Sequence, residues 1–126
     1  MSIRRERRNH NMQSLEELKH ALRAFAAERD WEQFHSAKNL AMAISIESAE
    51  LMEHFQWVAE QQDLALDARR REMVSDELAD VLLYTVRLAD RLGIDLLEAA
   101  ERKMQKNAER YPAAKVRGQS KKYNEY

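Results

Sequence analysis

The stretches LAMAISIESAELMEHF, residues 40–55, and MVSDELADVLLYTV, residues 73–86, decide how this chain is read. Neither contains glycine or proline, and both are rich in residues that favour helix. Each carries an acidic pair three residues apart, Glu47 with Glu50 and Glu77 with Asp80. That spacing puts both carboxylates of a pair on one helix face. The flanking Leu40, Ile44, Leu51, Leu78, Val81 and Leu82 predict that this face turns inward. Ions withdrawn from water without partners are costly, so both pairs need a physical reason.

Working outward, helix boundaries are well marked. Ser14-Leu-Glu-Glu17 is a capping box, and a helix runs from it to about Arg29 with Leu15, Leu18, Leu22, Phe25 and Ala26 as its apolar stripe. The aromatic segment Asp30–His35 breaks that pattern and predicts a structured loop. Ser36 caps a second helix predicted over residues 37–60, and a polar connection follows. A third helix spans about 68–92 and ends at Gly93, a favourable residue just past a helix end. Asp95 with Glu98 opens a fourth, which stops at about Arg110, before Pro112. These boundaries predict an all-α four-helix bundle over residues 14–112, with a loose arm at 1–13 and an irregular basic tail at 113–126. The second and third helices are apolar around much of their circumference. Ile46, Phe55, Val58, Met73, Leu83 and Val86 cover more than one face, which predicts a homo-oligomer with an isologous interface.

Composition excludes several classes. The 126 residues are enough for one domain with a sizeable core. With no cysteine, neither a disulfide framework nor a thiolate metal site is available. No apolar run approaches the roughly 20 residues of a membrane span, and MSIRRERRNHN has no apolar signal region. A net charge of −1 gives no field to hold a nucleic acid polymer. A cytoplasmic protein with no membrane or nucleic acid partner is expected. Its acidic centre lies between basic ends, an arrangement suited to a polyanion held partly through metal ions.

Oxygen-only ligands point to Mg²⁺, with Mn²⁺ as a substitute, rather than zinc. Four carboxylates can hold two or more ions, which polarise phosphoryl oxygens and activate a water. A lone E-x-x-E is ordinarily a solvated helix face. Two such pairs on apolar helices, with no Lys or Arg beside them, argue for the metal reading. A carboxylate-bridged di-iron centre needs Glu-x-x-His on two helices. On the predicted helices only Glu17 and His20 match, while His54 follows Glu50 by four residues, so that reading fails.

The pattern E-x-x-E, a gap of 26 residues, then E-x-x-D does not stand alone. Around it stand FAAERDWEQFH (25–35), Asn39-Leu40, ELMEHFQW (50–57), DELADVLLY (76–84), Lys103-Met104, Asn107, Arg110-Tyr-Pro112 and Lys122-Tyr123. In unbroken order from about residue 14 onward, these resemble the MazG-like all-α nucleoside triphosphate pyrophosphohydrolases, in their dCTP pyrophosphatase branch. The resemblance implies a helical, Mg²⁺-dependent enzyme acting as a homodimer or homotetramer. Such enzymes cleave nucleoside triphosphates between the α and β phosphates, releasing monophosphate and pyrophosphate. It implies Glu47, Glu50, Glu77 and Asp80 as metal ligands and catalytic acids. Trp31, His35 and Trp57 would build the base pocket, partly across the subunit interface. Tyr84, Asn107 and Tyr111 would hold sugar and phosphates, with Lys103 and Lys121 or Lys122 as phosphate partners. Leu22 stands where close relatives tend to have a histidine, a departure in the substrate contacts.

From the residues alone these roles have plainer counterparts. Trp31 reads also as a plug at a helix end, Trp57 as dimer core, and His35 as a loop hydrogen-bonder. Lys103, Lys106 and Arg110 read as a solvated helix face. Tyr84, one turn after Asp80, faces the same way as the acids. The functional expectation is hydrolysis of dCTP or related pyrimidine deoxynucleotides, plain or modified, to clean the nucleotide pool. The alternative is a non-catalytic helical oligomer that binds nucleotides.

Overall fold

A computed structural model describes residues 12–120 and 123–125. Among them are five α-helices and three 3₁₀ turns, and no strand. The helices are α1 (Leu15–Glu28), α2 (Ala37–Glu53), α3 (Ala68–Arg91), α4 (Leu96–Arg110) and the single turn α5 (Ala113–Val116). The chain divides into two compact units, Met1–Gly93 and Ile94–Tyr126.

Side-chain caps set the helix starts. Ser14 accepts from the Glu17 N–H, Ser36 from Asn39, Asp67 from Arg70 and Asp95 from Glu98. Each satisfies one of the donors that a helix start leaves unpaired, worth about 1 kcal/mol. Glu17 reaches back to the Gln13 N–H at 2.7 Å. The end of α1 is closed without glycine. Trp31 N–H donates to Ala26 O and Asp30 N–H to Ala27 O, with Asp30 in the left-handed region at φ 53. That double bond pattern is the Schellman closure, here built on an aspartate. It delivers Trp31 and the 3₁₀ turn Glu32–Phe34 directly after α1.

In the first unit α3 is central, with α2 and α1 packed along it. Its 24 residues make a rod of about 36 Å. The buried apolar core is Ala26 of α1, Leu40 of α2, and Val74, Val86 and Ala89 of α3. Large apolar side chains remain on the surface of the single chain, among them Ile46, Leu78, Leu82 and Leu64. An open apolar groove of about 480 Å³ runs along α2, lined by Lys38, Ala41, Met42, Ser45 and Ile46.

Three expectations are corrected. Helix α2 ends at Glu53, not near residue 60. Beyond it the bonds tighten, with Phe55 N–H to Met52 O and Val58 N–H to Phe55 O, so the chain turns where an apolar pattern reads on as helix. The segment after Pro112 is not wholly irregular, since α5 forms one turn there. Leu78 and Leu82 do not enclose the acids but face outward.

Candidate metal and nucleotide site

Packing of α2 on α3 brings the two acidic pairs together. One carboxylate oxygen from each of Glu47, Glu77 and Asp80 lies within 4.8 Å of the others. All four acids, Glu50 included, are half-buried. Two of the buried oxygens, Glu47 Oε2 and Glu77 Oε2, have no hydrogen-bond partner. A buried acceptor left unpaired costs about 1–3 kcal/mol, and more when charged. The Glu47 carboxyl is pushed up to about 7. Burial is the largest cause, followed by hydrogen bonding with Glu77 and Glu50, which favours the protonated form, and by the charges of Glu50 and Asp80. Hard oxygen ligands that converge, with two buried oxygens unpartnered, fit a divalent cation of the Mg²⁺ type. His54 caps the end of α2 and stands 3.9 Å from Glu77 Oε1, beside the trio.

A second constellation surrounds His35. Arg87 Nε donates to His35 Nδ1 at 3.2 Å, and Arg91 Nε donates to the His35 carbonyl at 3.1 Å. Burial, then the charges of Arg87 and Arg91, hold the His35 imidazole below its ordinary value, and Glu32 opposes them weakly. Arg87 is only 4% exposed. Its Nη1 donates to Asp90 Oδ2 at 3.4 Å. Asp90 also takes a two-pronged bond from Arg23 of α1, with Nε at 2.7 Å. That bond holds the Asp90 carboxyl below its usual range. Trp31 packs edge-on to both Phe25 and His35, with ring centroids 5.7 and 6.5 Å away.

Residues 42–126, which include both acidic pairs, match the MazG-like family. The chain belongs to the MazG-like family. It is 44% identical to dCTP pyrophosphatase 1 of Rattus norvegicus over 114 residues, which are 89% of this chain and 67% of that protein. The Homo sapiens protein of the same name shows the same identity and shares. The Bos taurus one is 42% identical over 89% of this chain and 68% of its own length. Among solved structures, a pyrophosphatase from Archaeoglobus fulgidus DSM 4304 superposes with a TM-score of 0.74 at 45% identity. That likeness covers 78% of this chain and 92% of the other.

In this MazG-like chain the other sequence-predicted residues are distributed as follows. Tyr84 is half-buried on α3, one turn beyond Asp80. Trp57 is 88% exposed in the turn after α2. Lys103 and Asn107 are exposed on α4, and Tyr111 caps that helix with its N–H on Asn107 O, all within the second unit. Leu22 is half-buried on α1. Lys121 and Lys122 lie outside the described residues. Sequence reasoning passed over Arg23, Arg87, Asp90 and Arg91, and weighed His54 only as an iron ligand. A signal for two of them was present: Arg87 and Asp90 interrupt an apolar run three residues apart, at the same spacing as the acidic pairs.

Proposed function

We propose that the protein is a Mg²⁺-dependent nucleoside triphosphate pyrophosphohydrolase, a cytoplasmic homo-oligomer that clears dCTP or related pyrimidine deoxynucleoside triphosphates. The observation that carries this is the convergence of Glu47, Glu77 and Asp80 with two buried oxygens left unpaired. The kinship with dCTP pyrophosphatase 1 of several mammals supports the substrate class.

Glu47, Glu50, Glu77 and Asp80 would hold the cation, with Mn²⁺ able to replace Mg²⁺. When bound, it neutralises the triphosphate and lowers the pKa of a water. Glu47 or Glu50 takes the proton from the attacking water as the bond between the α and β phosphates breaks. Trp31, His35 and Trp57 receive the base, and a base stacked on an aromatic ring gains about 1–3 kcal/mol. Tyr84, Asn107, Tyr111, Lys103 and Lys121 or Lys122 hold the sugar and phosphates, the last two from the basic tail at 113–126. Residues 14–112 are the catalytic domain, of the all-α four-helix type, acting as a homodimer or homotetramer. The apolar surface left on one chain, with Leu64 95% exposed and a groove along α2, supports assembly.

The experiment is a panel of nucleoside triphosphates given to the purified protein with Mg²⁺, with products resolved by ion-exchange chromatography. Monophosphate plus pyrophosphate, highest for dCTP or another pyrimidine, is expected. Diphosphate plus phosphate would mean another bond is cleaved. No product from any nucleotide would leave a binding oligomer in place of an enzyme.

A further inference from the structure

Outside the acidic cluster, Arg87 asks most for a reason. A guanidinium so fully withdrawn from water is costly unless partnered. Its contacts converge on one residue and its supports. Nε donates to His35 Nδ1 and Nη1 to Asp90, while Nη2 has no hydrogen bond and stands 3.9 Å from the Glu32 carboxylate. Asp90 is tied to α1 through Arg23. Arg91, one turn further on, holds the His35 backbone oxygen. Ring and backbone of His35 are thus fixed by two arginines of one helix.

The chemistry of that contact leaves one protonation state. Arginine only donates and does not lose its proton. A ring nitrogen that accepts from it carries a lone pair, so the single proton of the neutral imidazole sits on Nε2. An imidazolium would set Nδ1–H against the Arg87 N–H. The charged groups facing His35 are Arg87 and Arg91 from α3 and Glu32 from the preceding 3₁₀ turn. Two cations against one largely exposed carboxylate disfavour the charged ring.

We propose that Arg87 is a positioning residue for nucleotide selection: it fixes His35 as the neutral Nε2–H tautomer, so the ring offers the base one N–H donor and no acceptor. This rests on the reading of His35 as a base-pocket residue. A donor there fits a base edge with a carbonyl oxygen or an unprotonated ring nitrogen, such as the O2 and N3 edge of cytosine. It rejects an edge that presents an amine or ring N–H at that point.

The test is ring ¹⁵N spectroscopy of the full chain labelled at histidine, without metal or nucleotide, with His35→Gln to assign the signals. The expected wild-type ring is neutral near pH 7, carries its proton on Nε2, and stays neutral as the pH falls through 6.5, its ordinary value. A proton on Nδ1, or protonation at or above 6.5, would overturn the proposal. In Arg87→Met the ring should populate both tautomers and titrate at higher pH. Its KM for dCTP should rise severalfold with kcat little changed, because a contact made equally in ground and transition states is weakened. A wild-type ring spectrum and KM in Arg87→Met would also overturn it. Should that variant not fold, the wild-type spectrum still decides. Absence of dCTP binding by the wild type in calorimetry would overturn the base-pocket reading beneath, and is distinguishable because the ring spectrum needs no nucleotide.

Discussion

Along α3, Glu77 and Asp80 stand three residues apart, and further on Arg87 and Asp90 do the same. The two pairs are finished differently. Toward the first half, carboxylates meet carboxylates from α2, and two buried oxygens go without partners. Toward the second, opposite charges meet, Arg23 on Asp90 and Arg87 on Asp90, and Arg87 also meets the His35 lone pair, while its Nη2 has no hydrogen bond and stands 3.9 Å from Glu32. Like charges held together raise the free energy of the folded chain and wait for something to neutralise them. Opposite charges held together set geometry. One helix therefore carries a region of like charges, where the cation is proposed to bind, and a region of opposite charges that sets geometry.

The largest effect should come from breaking the first region. Asp80→Asn is expected to lower Mg²⁺-dependent turnover at least about a hundredfold, as losing a charge-stabilising group at a reacting centre does. Without metal its melting point should equal or exceed the wild type's, since one like charge is gone. Mg²⁺ at about a hundred times its Kd should stabilise the wild type by about 2.7 kcal/mol, and the variant much less. Calorimetry with and without the ion checks both. A variant that melts far lower without metal would mean that the acids hold the fold.

Breaking the second region should give the opposite signature. Asp90→Ala leaves the buried Arg87 without its carboxylate and should cost about 3 kcal/mol by urea unfolding. The pH dependence has a definite sign. The Asp90 pKa is depressed in the folded chain, so its contribution is complete above its ordinary value of 3.8 and lost as the pH falls through the folded value. Asp90→Ala should flatten that acid limb. Arg23→Ala should cost only about 1 kcal/mol, because the arginine is half-exposed and Asp90 keeps Arg87.

Much of this was legible in the sequence, for local reasons. Ser14, Ser36 and Asp95 each mark a helix start by a side chain that bonds its own backbone, and all three do so. The acidic pairs were legible because spacing alone decides which side chains share a helix face. The end of α2 was not. No Gly or Pro stands there, and Phe55 and Val58 continue an apolar pattern while the backbone turns on i to i−3 bonds. The meeting of Arg23 with Asp90, and of Arg87 with His35, was hidden because it depends on how α1 and the following loop pass α3. Nothing within either segment encodes that crossing.

The early stop of α2 gives the molecule an optical label of its own. Two indoles are present, and the turn after Glu53 leaves Trp57 almost wholly in water while Trp31 is packed against Phe25 and His35. A solvated indole emits at longer wavelength than a packed one. Covering Trp57 by a second chain thus registers as a blue shift over the emission of Trp31, which is 44% exposed. The same short turn that ends α2 seven residues early makes any covering of Trp57 visible in unmodified protein.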